Sequence, residues 1–75
     1  MYPNPAKEYI HINYDDALKK EVEIFNLTGS LVKSFILNPN TTHTNKLMID
    51  ELNSGYYILK IKSLDKIEYL KFIKE

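Results

Sequence analysis

Apolar residues in this chain recur with a period of two, in short runs, and no window holds the i, i+3, i+4 spacing of a helix over three turns. Tyr9 to Tyr14 alternates, with Ile10, Ile12 and Tyr14 on one face, and Asp15 and Asp16 end it. In Val22 to Leu27, Val22 and Ile24 share one face and Phe25 and Leu27 the other, as in a strand covered on both sides. Thr28, Gly29 and Ser30 make a turn whose glycine can take positive φ, and Leu31 to Leu37 returns as a third strand, so this pair reads as a hairpin. Asn38 to Asn45 is a polar loop punctuated by proline and asparagine. Lys46 to Asp50, Tyr56 to Ser63 and Ile67 to Lys74 are the remaining strands, with Leu52 as an apolar plug before the turn at Asn53, Ser54 and Gly55. Asp15 to Lys20 has room for one short turn at most.

A half-apolar strand is stable only when a second layer covers its apolar face. Six or seven short antiparallel strands spaced near ten residues apart therefore predict an all-β sandwich with no regular helix. The expected core is Ile10, Ile12, Val22, Ile24, Val32, Ile49, Leu52, Tyr57, Leu59, Ile61, Leu70 and Phe72. That core is thin: a domain of this size buries only roughly 60% of its unfolded surface. The 75 residues suffice for one domain, expected to span residues 1–75.

Composition narrows the function classes. The longest apolar run is the four residues Tyr56 to Leu59, far short of the about 20 that a membrane helix needs. Residues 1–5 have neither the charged start nor the apolar stretch of a signal peptide. Ten lysines and no arginine balance ten acidic residues to a net charge of +0, which argues against a nucleic-acid partner. The absence of cysteine removes disulfides and thiolate zinc sites and leaves the redox compartment open.

No constellation of catalytic residues emerges, so neither an enzyme nor a cofactor or metal is expected. His11 and His43 are too few for a zinc site and stand 32 positions apart. Asp15 with Asp16 and Asp50 with Glu51 are adjacent acidic pairs, whereas catalytic carboxylates face each other across a cleft. Ser30, Ser34, Ser54 and Ser63 lie in no nucleophile elbow, and Gly29 and Gly55 cannot line a phosphate loop. Asn26 and Asn40 each open a glycosylation-type triplet, a pattern that chance supplies often in a chain with seven asparagines. The six tyrosines could form a sugar- or partner-binding platform, although half-buried strand positions account for them more simply.

The two ends are the distinctive segments. Pro3 and Pro5 stiffen the lead-in Tyr2, Pro3, Asn4, Pro5 and hold it extended, suited to a sheet edge or to the entry of a first strand. Tyr69 to Glu75 keeps its strand pattern to the last residue, where chains usually fray. It reads either as a closing strand or as a strand that a receptor recognises through its side chains or by strand addition.

Four segments in order resemble the type A C-terminal sorting domain of the type IX (Por) secretion system of Bacteroidetes. These are Tyr2-Pro3-Asn4-Pro5-Ala6, the hairpin Val22 to Gly29 with Leu31-Val32, the stretch Leu52 to Ile61, and Leu70-Lys71-Phe72-Ile73-Lys74. Phe25 stands where the family often has tyrosine. The resemblance covers the whole chain and implies an immunoglobulin-like β-sandwich of about seven strands. It further implies a sorting signal at the end of an exported cargo, recognised by the outer-membrane translocon and its shuttle components. A sortase-type cysteine protease would then remove it, leaving the cargo attached to lipopolysaccharide or released. Met1 would be an added start, with a cargo domain preceding it in cis. The expected route is through the periplasm to the cell surface or the medium. By motif, the recognition residues are Tyr2, Pro3, Asn4, Pro5, Gly29, Gly55, Lys71, Phe72, Ile73 and Lys74, with Phe72 largely structural and the two terminal lysines exposed. The alternatives are a small immunoglobulin-like adhesion or carbohydrate-binding module and a structural domain that caps its neighbour.

Overall fold

The computed structural model describes residues 5–13, 19–37 and 44–75. Each alternating run becomes a strand: β1 (Tyr9–Asn13), β2 (Lys20–Asn26), β3 (Leu31–Leu37), β4 (Thr44–Met48), β5 (Gly55–Lys62) and β6 (Ile67–Lys74). There is no helix among the described residues. β4 begins at Thr44, so Thr44 and Asn45 belong to a strand and not to the expected loop. The rest of that loop with His43, Tyr14, and the expected turn from Asp15 to Leu18 lie outside the described residues, while Lys20 opens β2.

The strands form two antiparallel sheets, β1-β4 and β3-β2-β5-β6. The chain passes from the small sheet to the large one, back for β4, and across again for β5 and β6. Sequence neighbours pair in two hairpins, β2 with β3 and β5 with β6, while β1 with β4 and β2 with β5 join distant segments.

Because the side-chain period is two, each strand turns one set of residues inward. Ile10, Ile12, Leu47 and Ile49 from the small-sheet side meet Val22, Ile24, Tyr57, Leu59, Ile61 and Phe72 from the large sheet in one buried cluster. Leu52 and Leu70 are half-buried against it. Leu52 is fixed by its N–H, which donates to the Ile49 carbonyl at 3.0 Å.

Val32 is a correction to the expected core, for it is exposed. Ile24 lies opposite Lys33 whereas Phe25 lies opposite Leu31, so β3 carries Val32 as an extra residue, a bulge. The inward set of β3 is then Lys33, Phe35 and Leu37, all half-buried. The Lys33 ammonium lies 5.2 Å from the centre of the Phe35 ring and pairs with the Glu51 carboxylate. Ala6 and Leu47 join the core beyond expectation, and Lys20 is buried on the inner face of β2 beside Val22 and Ile24.

Candidate functional site

The residues singled out by motif divide between a turn, a strand start and the two ends of the chain. Gly29 sits in the β2–β3 turn with φ +89°, where a side chain would strain the backbone. Its N–H donates to the Asn26 carbonyl at 3.0 Å. The Asn26 side-chain oxygen accepts from the Thr28 N–H (3.1 Å), the Thr28 hydroxyl (2.7 Å) and the Ser30 N–H (2.9 Å). The asparagine two residues after Ile24 and the following glycine therefore encode a turn. Asn26, a member of the hairpin motif and of a glycosylation-type triplet in the sequence, is its organiser.

Gly55 opens β5 with φ +151°. A Cβ there would meet no heavy atom within 4 Å, so the demand for glycine comes from the backbone conformation and not from crowding. Next along β5, Tyr57 is buried and its hydroxyl donates to the Asn53 carbonyl at 2.6 Å, which ties down the turn ahead of Gly55. Tyr57 lies directly opposite Phe72, and the two rings stack at 5.5 Å with planes 21° apart. The stretch Leu52 to Ile61 and the terminal signature thus meet in the same packing unit.

Across β6 the side chains alternate. Phe72 and Lys74 face inward, while Lys71 is exposed and Ile73 half-buried on the outer face. Phe72 is 1% exposed. Lys74 corrects the expectation of two exposed terminal lysines: it is 7% exposed, because the period of two places it on the same face as Phe72. Gly55 lies opposite Lys74 and offers no side chain there, and the Lys74 ammonium donates to the Glu75 carbonyl at 2.8 Å. Of the two lysines, Lys71 alone is exposed.

The lead-in and the end of β6 are joined by backbone bonds. Ala6 forms a parallel bridge with Lys74: its N–H donates to the Ile73 carbonyl at 2.8 Å, and the Glu75 N–H donates to the Ala6 carbonyl at 2.7 Å. Ala6 is fully buried by this pairing. Pro5 is exposed beside it, and Pro5, Lys7, Glu8, Tyr9 and Glu75 line an open depression of about 340 Å³. Tyr2, Pro3 and Asn4 lie outside the described residues. The structure brings Pro5, Gly55, Ile73 and Lys74 to one end of the large sheet, where Ala6 meets β6 and Gly55 lies opposite Lys74. Gly29 belongs instead to the separate β2–β3 turn.

No group of three or more metal-ligating side chains occurs among the described residues, and no helix there is long and apolar enough to cross a membrane. What this end of the molecule offers is backbone, the exposed charged side chains of Lys7, Glu8, Lys71 and Glu75, and apolar side chains, the materials of a docking surface.

A model of the secretion system C-terminal sorting domain matches residues 1–75. The chain belongs to this sorting-domain family. It is also 33% identical over 69 residues to an ulvan lyase, NLR42, of Nonlabens ulvanivorans, a match covering 92% of this chain and 12% of the lyase. The chain thus spans about an eighth of the curated relative it matches, and most of the lyase lies outside the shared stretch. The family consists of sorting signals for type IX secretion and not of catalysts, and a tail of this kind marks a protein bound for the cell surface or the medium.

Proposed function

We propose that residues 1–75 act as a single C-terminal sorting domain that delivers an upstream cargo through the type IX outer-membrane translocon. The observation that carries this reading is the family match over all 75 residues. Delivery involves the translocon and its shuttle components, with passage through the periplasm. A sortase-type cysteine protease then removes the domain near Tyr2, Pro3, Asn4 and Pro5, and the cargo is anchored to lipopolysaccharide or released.

The burial and placement of the motif residues support the following roles. Lys71 and Ile73, on the outer face of β6, touch the machinery. Phe72 and Lys74 hold β6 in place, Gly55 shapes the entry to β5, and Gly29 shapes the hairpin turn. The parallel bridge at Ala6 brings the start of the domain beside its end. The junction with the cargo and the terminal signature are thereby presented to the machinery together.

The test is a fusion of a signal peptide, a reporter and residues 1–75, expressed in a type IX-competent bacterium. Surface or extracellular reporter is the expected result, with loss on deletion of Lys71 to Glu75. Delivery that survives this deletion would overturn the role of the terminal signature. An adhesion or carbohydrate-binding module is the second reading, favoured by the exposure of Tyr56 and Tyr69. Glycan binding that disappears in a Tyr56→Ala, Tyr69→Ala double variant, with export unchanged, would support it instead.

A further inference from the structure

An antiparallel sheet that covers a core on one side ordinarily turns polar residues to water on the other. The outer face of the large sheet departs from this. Phe25 and Ile58 lie opposite each other on β2 and β5, and Leu31 of β3 lies opposite Phe25 on its other side. On the same face of the edge strands, Ile36, Ile67 and Tyr69 are 60%, 49% and 64% exposed. The exposure of these side chains shows the face itself to be uncovered. Single apolar residues are ordinary on a surface, whereas a contiguous set marks an interaction site.

The charges on this face are ordered. Glu21 and Glu23 stand on β2, and Lys62 and Lys60 stand opposite them on β5, with Glu23 3.9 Å from Lys60. Two residues further along β2 come Phe25 and its neighbour Ile58. The face thus has an acidic column beside a basic column at one end and an apolar pair at the other.

β2 and β5 are the two middle strands, so the midline of the sheet runs between them. A half-turn about an axis parallel to that midline, just above the face, sets a second copy's β5 on β2 and its β2 on β5, with each residue at its own height. Glu21 then meets the second copy's Lys62, Glu23 its Lys60 and Phe25 its Ile58, while Ile36 on β3 meets its Ile67. A half-turn about an axis across the strands sets β2 on β2 and β5 on β5. Acid then meets acid and lysine meets lysine, or the charged end meets the apolar one. The pattern of this face matches itself about the first axis and opposes itself about the second. Sheets packed face to face keep their strands within about 30° of each other, which holds the central contacts of the first arrangement in place.

We propose that the outer face of the large sheet pairs with the same face of a second copy of this chain, in an isologous dimer. The apolar side chains supply affinity, and the acidic and basic columns supply register. Four strands and the seven residues of β2 give a footprint of about 19 Å by 23 Å. That is on the order of 900 Å² for the two copies together, the size of a weak and reversible contact. Lys71 and Ile73 lie on this face as well, so a second copy and the machinery would compete for it. The pairing uses only this chain's own surface and does not rest on the sorting reading.

The test is sedimentation equilibrium of the purified chain from ~10 µM to ~1 mM, with a reversible monomer–dimer equilibrium as the expected result. Glu23→Lys sets a lysine on the second copy's Lys60, and Lys60→Glu sets an acid on its Glu23. Each variant alone should dimerise at least about tenfold more weakly than the parent, because attraction becomes repulsion at both symmetry-related contacts. Thermal melting should stay close to that of the parent, since an exposed ion pair contributes little to the fold. Mixed in equal amounts, the two variants should recover the dimer, as each presents the charge that the other lacks. Glu8→Lys and Lys7→Glu make the same changes in net charge away from this face and should dimerise like the parent. A parent that stays monomeric at the highest concentration overturns the proposal. Charge variants that dimerise like the parent also overturn it and assign the contact to another surface, such as a sheet edge or an exchanged strand. A mixture no better than its components, or a control pair that behaves like the test pair, overturns it too. Should either charge variant fail to fold, Ile36→Glu decides: it places a carboxylate on the second copy's Ile67 and should weaken the dimer, and unchanged dimerisation overturns the proposal. Delivery of the reporter fusion is read separately, so the sorting reading stands or falls on its own experiment.

Discussion

The two faces of β6 carry one short signature in opposite ways. Phe72 and Lys74 are turned into the domain, and Lys71 and Ile73 are turned out of it. A motif written along the sequence hides this division, because neighbours in a strand belong to different surfaces. On the proposed reading, residues of the first kind act through the stability of the fold and residues of the second kind through direct recognition. A change that abolishes delivery has therefore not identified a recognition residue until stability has been measured beside it.

The largest effect expected from breaking this comparison lies on the inner face. Phe72→Ala removes a buried ring stacked on Tyr57. Loss of a buried phenylalanine costs about 3–5 kcal/mol. A domain of this length has a total stability of only about 4–11 kcal/mol. Chemical denaturation should show a variant with most of its stability gone, and delivery should fall with the folded fraction. A Phe72→Ala variant with near-normal stability would remove Phe72 from the inner face.

Gly55 offers a smaller effect with a cleaner cause. A Cβ at this position meets no neighbour, so Gly55→Ala tests backbone conformation alone. Holding a non-glycine residue in such a region costs on the order of 1–3 kcal/mol. The denaturation midpoint should drop accordingly, while Ser54→Ala next to it should stay within about 0.5 kcal/mol of the parent. Equal behaviour of the two would show that the strand start does not require positive φ.

Much of this arrangement was legible in the sequence. A period of two located every strand, since alternation is enforced by burial on one face. It could not announce that β1 pairs with β4, because any two apolar edges of similar length satisfy the same pattern. It misplaced Val32, because one bulged residue reverses the inward and outward assignment at that end of β3. It misjudged Lys74 for the opposite reason: charge suggested solvent, while parity with Phe72 set the face. The prolines marked the lead-in as suited to a sheet edge, but nothing named β6 as the strand that Ala6 bridges, since backbone bonds between chain ends impose no side-chain pattern. The motif glycines were visible as residues, but their positive φ values and the grip of Asn26 on its turn are visible only in three dimensions.

A smaller change falls on the link between β5 and the terminal signature. Tyr57→Phe keeps the ring stacked on Phe72 and deletes the hydroxyl that donates to the Asn53 carbonyl. One such bond contributes about 0.5–1.5 kcal/mol. Denaturation should show that deficit, and amide exchange should quicken around Asn53 to Gly55 more than in β2. Uniform quickening would mean that the hydroxyl acts on the whole core and not on the turn.

The smallest effect on stability is expected from the outer face, at Lys71. Its side chain is exposed and has no ion-pair partner among the described residues, so Lys71→Ala removes no interaction that the fold depends on. Substitutions at such positions usually change stability by no more than about 0.5 kcal/mol. If Lys71 is read by the machinery, delivery of the reporter should nevertheless fall while the melting curve stays in place. Phe72→Ala should lower both together, and it is the ratio of the two responses that separates the faces. Salt supplies a further handle, because the attraction of an exposed charge is screened over a distance of roughly 8–10 Å at moderate ionic strength. Binding of the parent domain to the purified receptor should weaken as salt rises, and binding of Lys71→Ala should change less. Parallel salt curves for the two would place the electrostatic attraction elsewhere on the domain, most directly at Lys60 or Lys62 on the neighbouring strand.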